Sequence, residues 1–377
     1  MSGKVVNKKK VVFVLGTRPE AIKLAPVVLR GRCSPVLECR VLCTGQHREM
    51  VDQALQMFNL VPDIDLNVMT RGQELAGLTA RLFLGIDGYL KQSRPDIVVV
   101  QGDTTSALSA AQVAFYRGVA IAHVEAGLRT LDKKAPFPEE MNRVLISHLS
   151  DIHFAPTEGA RENLRREGID EKDIYVTGNT VVDALNIVLP EIVNAPPHLS
   201  SLPGNILEHS SPLVLITGHR RENHGPGLRE ICLALRDLAA SFRNVSFVYP
   251  VHLNPNVYDT VTESLKDISN IYLIEPLRYQ EMLYLMSLCD LIITDSGGIQ
   301  EEAPSFGKRV IVTRTCTERP EGIAAGLATL VGCDRGRIVA EASRLLREHK
   351  ASTDYSISVN PYGDGRAAER IVRILSK

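Results

Sequence analysis

Two acidic residues stand where an apolar run gives way to a turn. Val98–Gln101 leads into Gly102-Asp103-Thr104-Thr105, and the run ending His123-Val124 leads into Glu125-Ala126-Gly127-Leu128-Arg129. If the two runs are neighbouring strands, Asp103 and Glu125 lie side by side and can move protons on a bound molecule. Asp103 has a plainer reading as the N-cap of a helix beginning at Thr104-Thr105. Glu125, set at an apolar strand end, needs a partner or a shifted pKa. A third acid, Glu139, opens the stretch Pro136–Arg143. Taken alone, Glu139 and Arg143 read as an i,i+4 ion pair in a helix with acids in its first turn.

Other strand ends suit anions. Gly16-Thr17-Arg18-Pro19-Glu20 follows Val11–Leu15 and starts a helix carrying Lys23. Its free N–H groups and Arg18 fit a phosphate, and equally fit a capped helix with a solvated arginine. After Leu213–Thr217, His219 stands beside Arg220 and Arg221 in a loop that ends Gly225-Pro226-Gly227. Two arginines drive a histidine toward its neutral form unless an anion or a carboxylate is near. The loop itself suits a lid or an ordinary surface turn. The strongest signal is Leu291–Thr294 emptying into Asp295-Ser296-Gly297-Gly298 and a helix. Backbone N–H groups and a helix dipole can cradle a diphosphate there, and Glu302, one turn on, can take both hydroxyls of a ribose. Neither GxGxxG nor GxxxxGK[ST] occurs at this turn, which weakens NAD-binding and ATP-hydrolysing readings.

Short β-branched runs alternate with segments of helical period along the whole chain, the pattern of parallel sheets with right-handed crossovers. In the first half the expected strands are Val11–Leu15, Arg40–Cys43, Ile97–Val100, Ala120–Val124, Ile152–Ala155 and Ile174–Val176. In the second they are Leu213–Thr217, Ser246–Tyr249, Ile271–Ile274, Leu291–Thr294, Val310–Thr313 and Ala328–Val331. A helix over Val181–Val193 is followed by an aperiodic Pro/Ser/Gly-containing stretch to Pro212, read as a linker. The fold class expected is α/β, with two Rossmann-like doubly wound domains, residues 1–190 and 191–361, facing across a cleft, and a last helix within 362–377 returning to the first domain. Ligands of such sheets sit beyond the carboxyl ends of the strands.

The chain has 377 residues, enough for about two domains at ~100–200 residues each. Lys plus Arg (43) nearly cancels Asp plus Glu (44), so no global field draws it to nucleic acid or anionic lipid. No apolar run approaches the ~20 residues that span a bilayer. Met1–Lys10, basic and polar with no signal-peptide core, reads as a short disordered lead, and the expected location is the cytoplasm. The seven cysteines show no CxxC pair and no metal-ligand spacing, so no disulfide framework or metal site is expected.

With these residues in line, the chain resembles the non-hydrolysing UDP-N-acetylglucosamine 2-epimerase family. The resemblance rests on GTRPEAIKLAP, TGQHREM, QGDTTSAL, HVEAGLRT, PFPEE, TGNTVVDAL, TGHRREN, YPVHLNP, DSGGIQEEAPS, TERPE and NPYGDGRA, which recur in the family in this order. It implies the B-type glycosyltransferase fold and a homodimer with no metal or organic cofactor. It also implies reversible conversion of UDP-N-acetylglucosamine to UDP-N-acetylmannosamine through UDP elimination and re-addition, for surface polysaccharide. Carried over position by position, Asp103, Glu125, Glu139 and His219 match the catalytic groups. Arg18, Lys23, Arg143, Ser296, Gly297, Gly298, Glu302 and Arg319 match substrate contacts, and Gln46, Arg220 and His252 match a second, activating substrate pocket of some members. Met282, Thr315-Cys316 and the Leu131–Ala135 stretch depart from the family pattern, as does Gly72 where some activated members carry arginine. A glycosyltransferase, a hydrolysing epimerase and a non-catalytic nucleotide-sugar sensor are the competing readings.

Overall fold

Continuous Val/Ile/Leu runs can be buried on both faces only in a parallel sheet covered by helices, and the chain forms two such sheets. The computed structural model describes residues 8–45, 48–70, 74–203, 206–207, 211–348 and 360–377. The first sheet contains β1 (Lys9–Leu15), β2 (Leu37–Cys43), β3 (Ile64–Asp65), β4 (Ile97–Gln101), β5 (Ala120–Val124), β6 (Ile152–Ala155) and β7 (Ile174–Val176). The strands are parallel in the order β3-β2-β1-β4-β5-β6-β7. Its helices are α1 (Arg18–Arg32), α2 (Arg48–Gln56), α3 (Leu75–Ser93), α4 (Thr105–Tyr116), α5 (Glu139–Leu149) and α6 (Glu158–Arg166), with α7 (Thr180–Asn194) leading out.

The second sheet contains β8 (Leu213–Thr217), β9 (Ser246–Pro250), β10 (Ile271–Ile274), β11 (Leu291–Thr294), β12 (Arg309–Val312) and β13 (Ala328–Leu330). These too are parallel, in the order β10-β9-β8-β11-β12-β13. Its helices are α8 (Pro226–Ser241), α9 (Pro255–Leu265), α10 (Tyr279–Leu288), α11 (Gly297–Glu302), α12 (Pro320–Ala324) and α13 (Arg335–Glu348), and α14 (Ala367–Leu375) closes the chain. Strand order reverses between β1 and β4 in one sheet and between β8 and β11 in the other, the switch points where such folds place ligands.

The chain divides into two compact units, Met1–Val188 with Tyr362–Lys377, and Leu189–Pro361. The tail belongs to the first unit because Asp183 caps it: its carboxylate accepts from the N–H groups of Ala367 (3.1 Å) and Ala368 (2.9 Å). Ile371 and Leu375 of α14 are fully buried, and α14 packs on α1.

Three expectations change. Lys9 and Lys10 are not part of a disordered lead but begin β1, held by Lys9 N–H on Val36 O (2.9 Å) and Lys10 N–H on Asp96 Oδ2 (2.7 Å). The stretch after α7 is more than a linker, since Leu199, Leu202 and Ile206 are buried in it. β3 carries no alternation to announce it and exists through pairing of Leu42 with Ile64 and Cys43 with Asp65. Among the described residues no helix is long and apolar enough to cross a membrane.

Gly127, between β5 and α5, has φ +91°, and a Cβ there would lie 2.2 Å from the carbonyl oxygen of Ala160. Gly88 lies exposed within α3, and a Cβ there would meet nothing within 4 Å. Gly127→Ala should therefore destabilise by about 3 kcal/mol or more, from left-handed strain plus overlap with backbone. Gly88→Ala should stabilise by about 0.5–1 kcal/mol. Urea unfolding of both variants checks the pair, and similar midpoints for the two would contradict this packing.

Candidate active site

At the first switch point, the turns after β1 and β4 share a carboxylate. Glu20, in the first turn of α1, is 1% exposed, and burial pushes its pKa up while hydrogen bonds oppose the shift. Its Oε2 accepts from Gly16 N–H (2.9 Å), Thr17 N–H (2.7 Å) and the Thr17 hydroxyl (2.8 Å). Its Oε1 accepts from the Thr104 hydroxyl at 2.6 Å. Arg18, next to Thr17, is exposed, with its guanidinium available to an anion.

β5 places Glu125 beside this turn. Glu125 adopts φ 64°, a conformation that opposes L side chains, and its buried carboxylate pairs with Lys23 Nζ at 2.6 Å and accepts from the Gln101 amide. The need for a partner that its apolar setting implies is met by Lys23. Asp103 is not the helix cap: Thr104 caps α4, its hydroxyl accepting from Ala107 N–H at 3.0 Å. The Asp103 carboxylate instead holds Arg143, and its backbone carbonyl accepts from Asn142 Nδ2 at 2.8 Å. Arg143 also pairs with Glu140 at 3.2 Å, one residue from the Glu139 that helical spacing favours. Glu140 in turn accepts from Thr130 and Leu131 N–H, both at 3.0 Å, fixing the chain before α5. Glu139 begins α5, half-buried. His123 is fully buried, which holds its imidazole far below the usual value, to about 3. The neutral ring donates from Nε2 to Gly102 O at 2.8 Å, and so steadies the turn that presents Asp103.

In the second unit Asp295 does for β8 and β11 what Glu20 does for β1 and β4. Fully buried after β11, its Oδ2 accepts from His219 N–H (2.9 Å), Arg220 N–H (2.9 Å) and Asn223 Nδ2 (3.1 Å). Its Oδ1 lies 3.5 Å from His219 Nδ1, so the carboxylate that His219 requires among its arginines is Asp295. The His219 ring stacks on His252, centroids 5.6 Å apart. Arg220 keeps a buried Nε with no partner among the described residues. Gln46 lies outside the described residues.

Ser296 is the N-cap residue of α11, and Gly297 and Gly298 begin the helix. Gly297 is glycine because a Cβ would sit 2.5 Å from Nη1 of Arg319. A Cβ at Gly298 would make only an ordinary contact, 3.9 Å from the Ser296 hydroxyl. Arg319 is buried, donating from Nε to Glu301 at 2.7 Å and from Nη1 to Glu318. Glu318 also binds the fully buried Arg314 (3.0 Å), which reaches Glu222 (2.7 Å). Glu302 is buried, with Oε1 accepting from the Tyr279 hydroxyl at 2.9 Å.

Glu20, Gln101, Glu140, Asp295, Tyr279, Arg314 and Glu318 escaped the sequence reading as site-building groups. Glu20, Gln101, Glu140, Asp295 and Glu318 lie inside motifs quoted above, and the signal available for the acids was a place beside a glycine turn, in a first helical turn or next to Arg319. Nothing local marks the remote partners.

A family model described as UDP-N-acetylglucosamine 2-epimerase matches residues 31–376. The chain is 48% identical over 368 residues to the UDP-N-acetylglucosamine 2-epimerase of Escherichia coli (strain K12), covering 97% of this chain and 98% of that one. Among solved structures, the UDP-GlcNAc 2-epimerase of Neisseria meningitidis bound to UDP-GlcNAc superposes with a TM-score of 0.88 at 43% identity, covering 97% of this chain and 99% of that one. The Methanocaldococcus jannaschii UDP-GlcNAc 2-epimerase in complex with UDP-GlcNAc and UDP gives 0.83 at 35% identity, over 97% and 99% of the two chains. A trehalose 6-phosphate synthase of Burkholderia multivorans, 14% identical with a TM-score of 0.58 over 98% and 95%, shares the fold alone, the two-domain α/β class of B-type glycosyltransferases. The chain belongs to the UDP-N-acetylglucosamine 2-epimerase family.

Proposed function

We propose that the protein interconverts UDP-N-acetylglucosamine and UDP-N-acetylmannosamine by inverting carbon 2 of the sugar. The near-full-length likeness to UDP-GlcNAc 2-epimerases carries this reading. The same kinship favours a cytoplasmic homodimer without metal or organic cofactor, supplying UDP-N-acetylmannosamine for surface polysaccharide.

The hydrogen on carbon 2 is not α to a carbonyl, because the acetamido group is attached through nitrogen. Direct abstraction is therefore slow. If the bond from carbon 1 to the UDP oxygen breaks first, carbon 1 gains oxocarbenium character and the neighbouring hydrogen becomes acidic. A carboxylate takes that proton, the electron pair forms the carbon 1–carbon 2 double bond, and 2-acetamidoglucal and UDP result. Protonation of carbon 2 on the opposite face, with return of the UDP oxygen to carbon 1, gives the other epimer.

Asp103, Glu125 and Glu139 are the groups assigned to proton transfer on the two faces. Lys23 and Arg143 hold Glu125 and Asp103 in place and offset their like-charge repulsion. Arg18, His219 and the Ser296-Gly297-Gly298 turn backed by Arg319 are assigned to the diphosphate, whose charge grows as UDP departs. Glu302 is assigned to the ribose.

Incubation with UDP-N-acetylglucosamine in heavy water tests the reaction. Deuterium at carbon 2 of both recovered nucleotide sugars is expected. Free N-acetylmannosamine plus UDP would point to hydrolysis instead, and no exchange would point to a transferase or a sensor.

Glu302→Ala should raise KM about 10–100-fold, the range for hydrogen bonds to a charged group worth about 1.5–3 kcal/mol, and leave kcat nearly unchanged. An unchanged KM removes Glu302 from the site.

Variants of the acids and of His219 should fail differently. Asp103→Asn and Glu139→Gln should lower kcat ~10²–10⁴-fold while still releasing some 2-acetamidoglucal and UDP, whereas His219→Asn should release neither quickly. Assays of UDP, glycal and deuterium exchange on each variant decide this; free glycal from His219→Asn with none from either acid variant would reverse the assignment.

A further inference from the structure

Glu20 takes no part in the chemistry just described, yet it occupies the first switch point. A glutamate at the third position of a helix ordinarily reaches back to its own cap residue, and Thr17 would satisfy that role. Glu20 goes further. It collects Gly16 N–H, Thr17 N–H and the Thr17 hydroxyl from the turn after β1, and the Thr104 hydroxyl from the turn after β4. Every one of these partners donates, so the ionised carboxylate satisfies them all. No cation pairs with it among the described residues. A buried charge met only by hydrogen bonds is a costly way to cap one helix, and the cross-link to Thr104 is what capping alone does not require.

The chain neighbours of the two anchor points are Arg18, which follows Thr17, and Asp103, which precedes Thr104. The Asp103 segment is already held by His123 on the Gly102 carbonyl (2.8 Å) and by Asn142 on the Asp103 carbonyl (2.8 Å). Thr104 is the third hold, and the one that leads back to Arg18. We propose that Glu20 is a positioning residue that fixes Arg18 and Asp103 relative to each other through Thr17 and Thr104, so that leaving-group assistance and proton transfer act on one substrate pose. The inference rests on the epimerase reading above. Misplacing a reacting group by about 1 Å can cost ~10²-fold in rate, so a tie of this kind should be read in kcat.

The test is steady-state epimerisation with UDP-N-acetylglucosamine, with thermal unfolding of each variant measured alongside. Thr104→Ser keeps the hydroxyl and should retain kcat within a few-fold. Thr104→Val and Glu20→Gln should each lower kcat about tenfold or more and change KM less. The double variant should lose no more than the more damaging single change, because both cut the same tie. A purely structural role would lower the melting temperature and leave kcat per folded molecule unchanged, and that result overturns the proposal, as does a double variant whose losses multiply. If Glu20→Gln does not fold, the Thr104→Ser and Thr104→Val pair decides alone. Wild-type protein with no epimerase activity would remove the epimerase reading and this inference with it, whereas active wild type with unaffected variants removes only the tie.

Discussion

A carboxylate taken out of water must be met by donors, and at each switch point one buried carboxylate collects them in a way that joins two neighbouring loops. Glu20 does so for the turns after β1 and β4, and Asp295 for those after β8 and β11. The helices that follow these strands begin with N–H groups that have no partner within the helix, and the turns leading into them add more. Without an internal acceptor, those donors would turn to water or to whatever ligand arrives, and the turns carrying Arg18, Asp103 and His219 would be free to follow. The acceptors make the turns part of the scaffold, which is the condition for placing acid, base and cation groups accurately.

The same demand produces a chain of alternating charges in the second unit. Glu222, Arg314, Glu318, Arg319 and Glu301 join in sequence, with Arg314 fully buried in the middle. Removing one member would strand its neighbour without a partner, so the chain resists piecemeal change even though ion pairs of this kind add little net stability. Two arginines face three glutamates, so the cluster does not itself offer a surplus of positive charge to a diphosphate. Attraction at this end of the sheet has to come from the N–H groups of the turn at Ser296–Gly298 and from the His219-Arg220-Arg221 segment. Arg319 then serves the turn by lying against Gly297, where any side chain would displace its guanidinium.

The parallel sheets were legible in the sequence because strands covered on both faces must be apolar without interruption, and that pattern is local. The carboxyl-end turns were legible for the same reason: each run stops at a residue that cannot be a core residue. What joins the turns was not. Glu20 and Thr104 are 84 residues apart and Asp103 and Arg143 are 40 apart. Their contact follows from β1 lying beside β4 and from α5 packing on α4, facts of topology with no local trace. Asp103 looked like a cap because Thr104, the actual cap, is its neighbour and both types serve. Family resemblance closed part of the gap by naming positions, but it carried no reason for Glu20, Asp295 or Tyr279 to be where they are.

That physical picture also sorts the places where this chain departs from its family's pattern. Met282 is half-buried on α10, three positions after Tyr279, whose hydroxyl holds Glu302. A flexible thioether there adapts to its surroundings more readily than an aromatic ring. Thr315 is exposed and Cys316 half-exposed, between buried Arg314 and the Thr317 that donates to Gln300 at 2.8 Å. The residues on either side of the dipeptide are anchored, so the backbone path there is held from both sides. Leu131 is 85% exposed, but its N–H is fixed on Glu140, which also holds Arg143 and through it Asp103. Gly72 lies outside the described residues, and Met282, Thr315 and Leu131 fall on half-buried or exposed positions. Such positions are able to tune affinity and loop motion, whereas the acid/base constellation stays under the control of groups this chain retains.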